Sequence, residues 1–205
     1  MPDLPSPFAS KAQRDQARHA KKEAVLRAAV DLFNERGFHA TSLDDIASRL
    51  GITKPAIYHY FGNKDQVLFH GLTVGMEQLR AAVDEARRHS GRGVDRLRAF
   101  LILYAEINMT AFGRCVILTE EHELMDASRR RFRTLKREID TALRELLREA
   151  VEDGTVVTSD LRLTAFALAG ALGWVARWYK DDGQQSAMQI ANGLVDGLIK
   201  GLAPR

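Results

Sequence analysis

From Thr41 to Phe61 the sequence TSLDDIASRLGITKPAIYHYF carries two short helix signatures with almost nothing between them. Thr41 and Ser42 offer a hydroxyl cap, and Asp44 and Asp45 make the first turn acidic, as a helix dipole favours. Leu43, Ile46, Ala47 and Leu50 recur at helical spacing, and Gly51 ends the run. Only Ile52 separates that glycine from a second cap, Thr53, and Pro55 falls in the next first turn, where its missing N–H matters little. Two short helices joined through a tight glycine turn form a helix-turn-helix. Neither can bury its own apolar stripe, so neighbouring helices must supply the core beneath them.

The second of these helices is unusual in its surface. Ile57 and Phe61, four apart, face inward against Leu43, Ile46, Leu50 and Phe33, whereas Tyr58, His59 and Tyr60 put hydrogen-bonding rings elsewhere around it. A helix that reads base edges must be short, supported from behind and free at its N-terminal residues. Residues 53 to 60 meet those conditions. Thr53 and Lys54 stand at the helix start, where N–H groups and an ammonium meet phosphate or a guanine edge. Pro55 and Ala56 allow close apolar approach, and Tyr58 and His59 can donate to phosphate oxygens. Tyr60 either does the same or packs against the preceding long helix. Thr41, Ser42 and Lys64 are further phosphate candidates, although the two hydroxyls also serve as caps.

Charge supports the same reading. Residues 1 to 64 hold ten Lys/Arg against seven Asp/Glu, while the remainder is balanced, so the whole net charge of +3 lies in the first third. Residues 1 to 19 carry prolines near the start and Lys11, Arg14 and Arg18 later, without a sustained apolar period. They read as a mobile basic arm that neutralises phosphates, enters a minor groove or merely aids solubility. A first helix over 20 to 36 follows, closed by Gly37.

The run ATSLDDIASRLGITKPAIYHYFGNKDQVL, from Ala40 to Leu68, closely resembles the N-terminal signature of the TetR family of bacterial transcriptional repressors. The resemblance takes in the turn glycine Gly51, the Tyr-x-Tyr-Phe end of the second helix and the Asn-Lys-Asp that follows, and covers about residues 22 to 69. Pro55 departs from the smaller residue common there. The resemblance implies a homodimer on a pseudo-palindromic DNA operator, released by a small molecule held in the C-terminal part; no cofactor is expected.

The expected architecture is all-α: a helix-turn-helix DNA-binding domain over 20 to 66, then a larger helical effector-binding and dimerisation domain over 67 to 205. Helices are expected at 64 to 88, 94 to 110, 113 to 122, 127 to 152, 160 to 180 and 186 to 201, with breaks at glycines and Asp-Gly pairs. Small residues crowd the last two helices, and Gly193, Gly197 and Gly201 recur four apart. Ala169, Gly173, Ile190, Gly193, Leu194, Gly197 and Leu198 are therefore expected at a two-fold four-helix interface, the alternative being an internal core. Phe100, Leu103, Tyr104 and Ile107, with Trp174, Arg177 and Trp178, are expected to line an apolar effector cavity. The stretch GWVARWYKDDG resembles TetR-type regulators that answer to acyl-CoA thioesters or related lipid and aromatic catabolites; lipophilic drugs are the other ligand class, and a constitutive DNA-binding dimer or a catalytic helical bundle the other functions.

The helix from Ala127 opens with Arg129, Arg130, Arg131, Arg133, Lys136 and Arg137, against the sense its dipole prefers. Those cations either answer Glu120, Glu121, Glu123 and Asp126 or receive ligand phosphates. Catalytic signatures are missing: there is no HExxH, P-loop, GxGxxG or CxxC, and His122 among its glutamates lacks the repeated Glu-x-x-His of a dimetal bundle. No metal is expected. A lone Cys115 fits a reducing compartment, and the longest apolar run, 165 to 176, is too short to span a bilayer. With no leader read in Met1 to Ser10, the expectation is a cytoplasmic protein without a membrane partner.

Overall fold

The structure, a computed structural model, describes residues 11 to 204. The described residues form helices joined by short connections, without a strand: α1 (Lys11–Arg36), α2 (Leu43–Leu50), α3 (Lys54–Phe61), α4 (Lys64–Arg88), α5 (Gly93–Met109), α6 (Ala111–Leu118), α7 (Asp126–Glu152), α8 (Leu161–Gly173), α9 (Val175–Trp178) and α10 (Ala187–Lys200).

The first three helices form the helix-turn-helix unit. Gly51 closes α2 at φ 63° in the left-handed region, which a β-carbon would resist, and its turn delivers Ile52 directly to the start of α3. Ile46 and Ile57 are fully buried where α2 and α3 meet α1, whose Phe33 is 6% exposed. An exposed pair between Arg49 and Glu35, with both guanidinium nitrogens bonded at 3.0 and 3.1 Å, fastens the end of α2 to α1. Asn63 caps α4 by accepting from Gln66 N at 2.8 Å, so α3 is followed at once by the long helix leading into the body.

α1 begins earlier than its apolar period does. Residues 11 to 19, expected in a mobile arm, are the first turns of α1, because Ala, Gln, Arg and Lys are strong helix formers and the stretch holds no glycine or proline. Residues 1 to 10 of that arm lie outside the described residues. Two further boundaries differ from expectation. The span 113 to 122 resolves into α6 and a single 3₁₀ turn, Glu121–Glu123. The span 160 to 180 divides at Trp174 into α8 and α9.

In the body, α4, α5 and α7 pack around Leu97, Phe100, Leu101, Phe132, Leu146 and Leu147, all fully buried. α6 leaves α5 through a corner of 89° at Thr110, whose hydroxyl caps α6 by accepting from Gly113 N at 3.2 Å. The corner brings backbone onto backbone: a β-carbon on Gly113 would lie 1.9 Å from the Ile107 carbonyl oxygen. Among the described residues no single helix is long and apolar enough to cross a membrane.

Because the neighbour at Gly113 is main chain, it cannot rotate away as a side chain would. Gly113→Ala is expected to destabilise the fold by about 3 kcal/mol, the upper end of overpacking. Thermal denaturation of the two proteins checks this; an unchanged midpoint would show that the corner is soft.

Candidate nucleic-acid interface and effector cavity

α3 buries two side chains, Ile57 and Phe61, leaves Lys54, Ala56 and Tyr60 half-buried and exposes Pro55, Tyr58 and His59. Thr53 is its N-cap but makes no side-chain capping bond, so its exposed hydroxyl is uncommitted. Pro55 and His59 are exposed, Ala56 is half-buried, and Tyr58 is 47% exposed, a high value for so large a ring. Lys54 is already engaged, its ammonium donating to Asp44 Oδ2 at 2.7 Å. That bond and the charge of Asp44 push the Lys54 ammonium up from its ordinary range. Tyr60 is half-buried and packs against the core, taking the structural alternative, with its ring edge-on to His59 at 5.5 Å and Phe61 at 6.4 Å.

Three expected phosphate contacts are occupied elsewhere. Thr41 is 1% exposed, and its hydroxyl hydrogen is shared between the Leu32 and Gly37 carbonyls at 3.2 and 2.9 Å. Ser42 caps α2 in a reciprocal pair with Asp45: Oγ accepts from Asp45 N at 3.1 Å and donates to Asp45 Oδ2 at 2.6 Å. The adjoining carboxylate, held below the usual range by its bonds from Ser42, would repel a phosphate there. Lys64 donates to the Phe38 and Thr41 carbonyls at 2.8 and 2.9 Å and sits 4.1 Å from the Phe38 ring centroid. Burial lowers its ammonium from the ordinary lysine range. It therefore pins the connection between α1 and α2 to the start of α4. Lys22, not singled out from the sequence as a site residue, lies 5.5 Å from the Phe61 ring and adds a cation beside the end of α3.

In the body a cavity of about 480 Å³ opens between α4, α5, α6, α7 and α8. Its apolar wall is Met76, Leu79, Tyr104, Val116, Ile117, Ile139, Leu143, Phe166 and Ala169. Burial pushes the Tyr104 phenol up, while the neighbouring Asn108 amide pulls it partly back. Asn108 itself, one turn further along the same face of α5, is fully buried, and neither end of its amide has a well-formed hydrogen bond. Such an orphaned group costs about 1 to 3 kcal/mol.

The polar side of the cavity holds Thr119, Glu121, Arg133, Lys136, Arg137 and Asp140. Glu121 accepts a short bond from Arg133 and another at 2.9 Å from Lys136, and these hold its carboxyl low. Asp140 pairs with Arg144, and Arg129 with Asp126. The ion pairs bear out the first of the two expectations for the basic start of α7. Several cations answer the upstream acids, yet Arg133, Lys136 and Arg137 also border the cavity, and Arg137 has no ion-pair partner among the described residues.

Of the expected cavity residues only Tyr104 lines it. Phe100 is fully buried core, and Leu103 and Ile107 are half-buried against that core. Trp174 and Trp178 are 60% and 45% exposed, because α8 and α9 turn Ala165, Leu168, Leu172, Val175 and Ala176 inward and leave the tryptophans outside. Arg177 stacks over Trp174 at 5.4 Å on that outer face, and Trp178 borders a separate hollow with Tyr179, Gly183 and Ile190.

The outer face of α8 and α9 is apolar: Leu163, Phe166, Ala167, Gly170, Ala171, Trp174 and Trp178 recur at helical spacing and are exposed. Gly193 and Gly197 of α10 are also exposed, with open space where a β-carbon would stand. Gly173 corrects its expected place at a subunit interface: it is buried within the chain, where its β-carbon would meet Ile117 at 3.3 Å. Ala169 likewise faces the cavity, and Ile190, Leu194 and Leu198 are half-buried against the core. Cys115 is buried and its thiol pushed up to about 12 by that burial, which removes the reactive thiolate.

A helix-turn-helix with a bare second helix, set on a helical body that holds a cavity, defines a two-part regulator of nucleic-acid occupancy. Comparison with known proteins makes the class specific. A model described as bacterial regulatory proteins, tetR family, matches residues 25–70, and one described as tetracyclin repressor-like, C-terminal domain, matches residues 90–202. The chain belongs to the TetR family and is a DNA-binding transcriptional regulator of the tetracycline-repressor type. It is 29% identical over 199 residues to the transcriptional repressor KstR2 of Rhodococcus jostii, covering 91% of this chain and 93% of that one. It is 34% identical over 82 residues to the transcriptional activator FasR of Mycolicibacterium smegmatis, spanning 40% of this chain but only 37% of FasR. Among solved structures it resembles AibR in complex with isovaleryl coenzyme A and operator DNA, with a TM-score of 0.77 at 26% identity, covering 90% of this chain and 98% of that one.

The geometry separates surface from support. Tyr58→Ala is expected to weaken duplex binding by roughly fivefold for each copy of α3 engaged, one lost contact at about 1 kcal/mol, with an unchanged melting temperature. Thr41→Val should instead lower stability by about 1 to 2 kcal/mol through the orphaned carbonyls. Fluorescence anisotropy and calorimetry on both variants check the division.

Proposed function

We propose that this chain is a homodimeric repressor that holds a pseudo-palindromic operator through two copies of α3 and is released by a small carboxylate or acyl-CoA thioester. The observation that carries the reading is a cavity walled by α7 whose first turn is bonded to the first turn of α4, directly after α3. Asp65, 6% exposed, accepts from Met125 N at 2.7 Å and from Ser128 Oγ at 2.6 Å. A second joint links α6 to α1, where Asn34 Nδ2 donates to the Ala111 carbonyl at 2.8 Å. Occupancy that moves α6 or α7 is therefore transmitted to α1 and α4, which carry α3. The effector works only by differential affinity for two arrangements of the recognition helices.

The cavity favours a ligand with an apolar part and an anionic end. Its volume lies within the range usual for small-molecule sites. An acyl chain suits the wall of Met76, Leu79, Ile139 and Leu143, and a hydrogen-bonding group that passes Tyr104 would relieve Asn108. Phosphates or a carboxylate would meet Arg137 with Arg133 and Lys136. Similarity to AibR, solved with isovaleryl coenzyme A, and to the repressor KstR2 supports both the ligand class and the sign of regulation. The exposed apolar face of α8 and α9, with the open glycines of α10, supports a two-fold contact, since a monomer rarely leaves so continuous a patch bare. A soluble protein of the cytoplasm fits this role.

Isovaleryl-CoA and longer acyl-CoA esters, titrated into a complex with operator duplex, should release the DNA, and Arg137→Glu should raise the effector concentration required by roughly tenfold, the worth of one charge-assisted bond. If every thioester leaves the complex intact, the protein is a constitutive binder; release by lipophilic cations alone would assign a drug-responsive regulator. Gly193→Arg places a side chain in open space within one subunit, so its fold should survive while the dimer weakens by roughly tenfold or more. Sedimentation velocity at matched concentration tests this, and a variant as dimeric as the parent would remove α10 from the interface.

A further inference from the structure

α1 changes character along one of its faces. Val25, Leu26, Ala29 and Phe33, at helical spacing, form the buried side that packs into the domain. The same series continues backward through Lys22, Arg18, Arg14 and Lys11, with Lys21 alongside. Before Val25 the helix has left the core: from Lys11 to Ala24 only Ala17 and Lys22 are even half-buried. The face that is apolar over protein is thus basic where no protein lies under it. No ion pair among the described residues uses any of these five cations, and Asp15 is the one acid between Lys11 and Lys22.

The stripe begins at the recognition helix, since Lys22 lies 5.5 Å from the Phe61 ring at the end of α3. From Lys22 back to Lys11 a helix rises about 16 Å, nearly half of a DNA turn. We propose that this extension of α1 is a second DNA-binding element, which lays Lys11, Arg14, Arg18 and Lys21 along the sugar-phosphate backbone bordering the groove that α3 enters. This rests on the operator-binding reading above. A helix about 10 Å across does not enter a minor groove about 6 Å wide, so the extension touches the backbone from outside and reads no bases. Its contribution is affinity that is independent of sequence and steeply dependent on salt.

The test uses the full chain and a duplex selected by the parent protein from a random-sequence pool, beside a scrambled duplex of equal length. Operator affinity is measured against salt concentration for the parent, for Arg14→Gln with Arg18→Gln, and for Asp15→Asn. Two cations lost from each subunit of a dimer remove up to four phosphate contacts, so the slope of log affinity against log salt should flatten by up to about 3.6. The loss should be the same factor on the selected and scrambled duplexes. Asp15→Asn should strengthen binding a few-fold, a change of sign that damage to the helix would not produce. Parental slopes and affinities in both variants would overturn the assignment, as would a loss confined to the selected duplex, which would mean base reading. A parent protein that selects no duplex at all would overturn the operator-binding reading itself, and the role of the stripe with it.

Discussion

The recognition helix is held to the protein by Ile57 and Phe61, and the account depends on that economy. Two inward side chains one turn apart are the fewest that can fix both the rotation and the tilt of a two-turn helix. Both are essentially buried, so burial contributes about 2 kcal/mol or more for each. Pro55, Tyr58 and His59 are left exposed, which explains why a tyrosine and a histidine can occupy positions that a folded core would have filled with leucine. The platform behind α3 is correspondingly rigid. Its polar groups are spent internally: Thr41 on carbonyls of α1, Ser42 on Asp45, Lys64 on the turn between α1 and α2.

The same logic recurs where the two parts of the chain meet. Asp65 is a buried carboxylate whose cost is offset by the backbone N–H of Met125 and the hydroxyl of Ser128, neither of them a charge. A hydrogen-bonded joint of this kind fixes direction more strictly than an apolar contact does. The corner between α5 and α6 is equally intolerant, since main chain meets main chain at Gly113. In the proposed mechanism these joints, on both sides of the cavity, carry its movements to α1 and α4.

Much of this was legible in the sequence, and what was not has identifiable causes. The helices and their glycine breaks followed from period and punctuation, and the inward pair Ile57 and Phe61 from spacing four. Phase was harder. α8 is apolar on nearly every side, so its period does not say which side is inside: spacing puts Trp174 and Trp178 at the cavity, and the structure puts them on the outer face. Gly173 and Gly170 were indistinguishable for the same reason, although one meets Ile117 and the other open space. Thr41 and Lys64 carried the residue types of phosphate contacts, but a hydroxyl or ammonium bonded to distant carbonyls leaves no local trace. The first turns of α1 lack apolar spacing and were read as an arm, yet their alanines, glutamines and arginines are strong helix formers. The order of charges along α7, opposed to the helix dipole, showed that its basic start needs a partner, and for Arg133 and Lys136 that partner is Glu121.

Protein footprinting with hydroxyl radicals, read by mass spectrometry, tests the exposed recognition helix most directly. Saturation with a selected duplex should shield Tyr58 and His59 from oxidation, while Trp174 and Trp178, on the far outer face of the body, react as fast as before. Equal labelling of Tyr58 and His59 with and without bound duplex would contradict the account, because α3 would then present its rings to solvent alone.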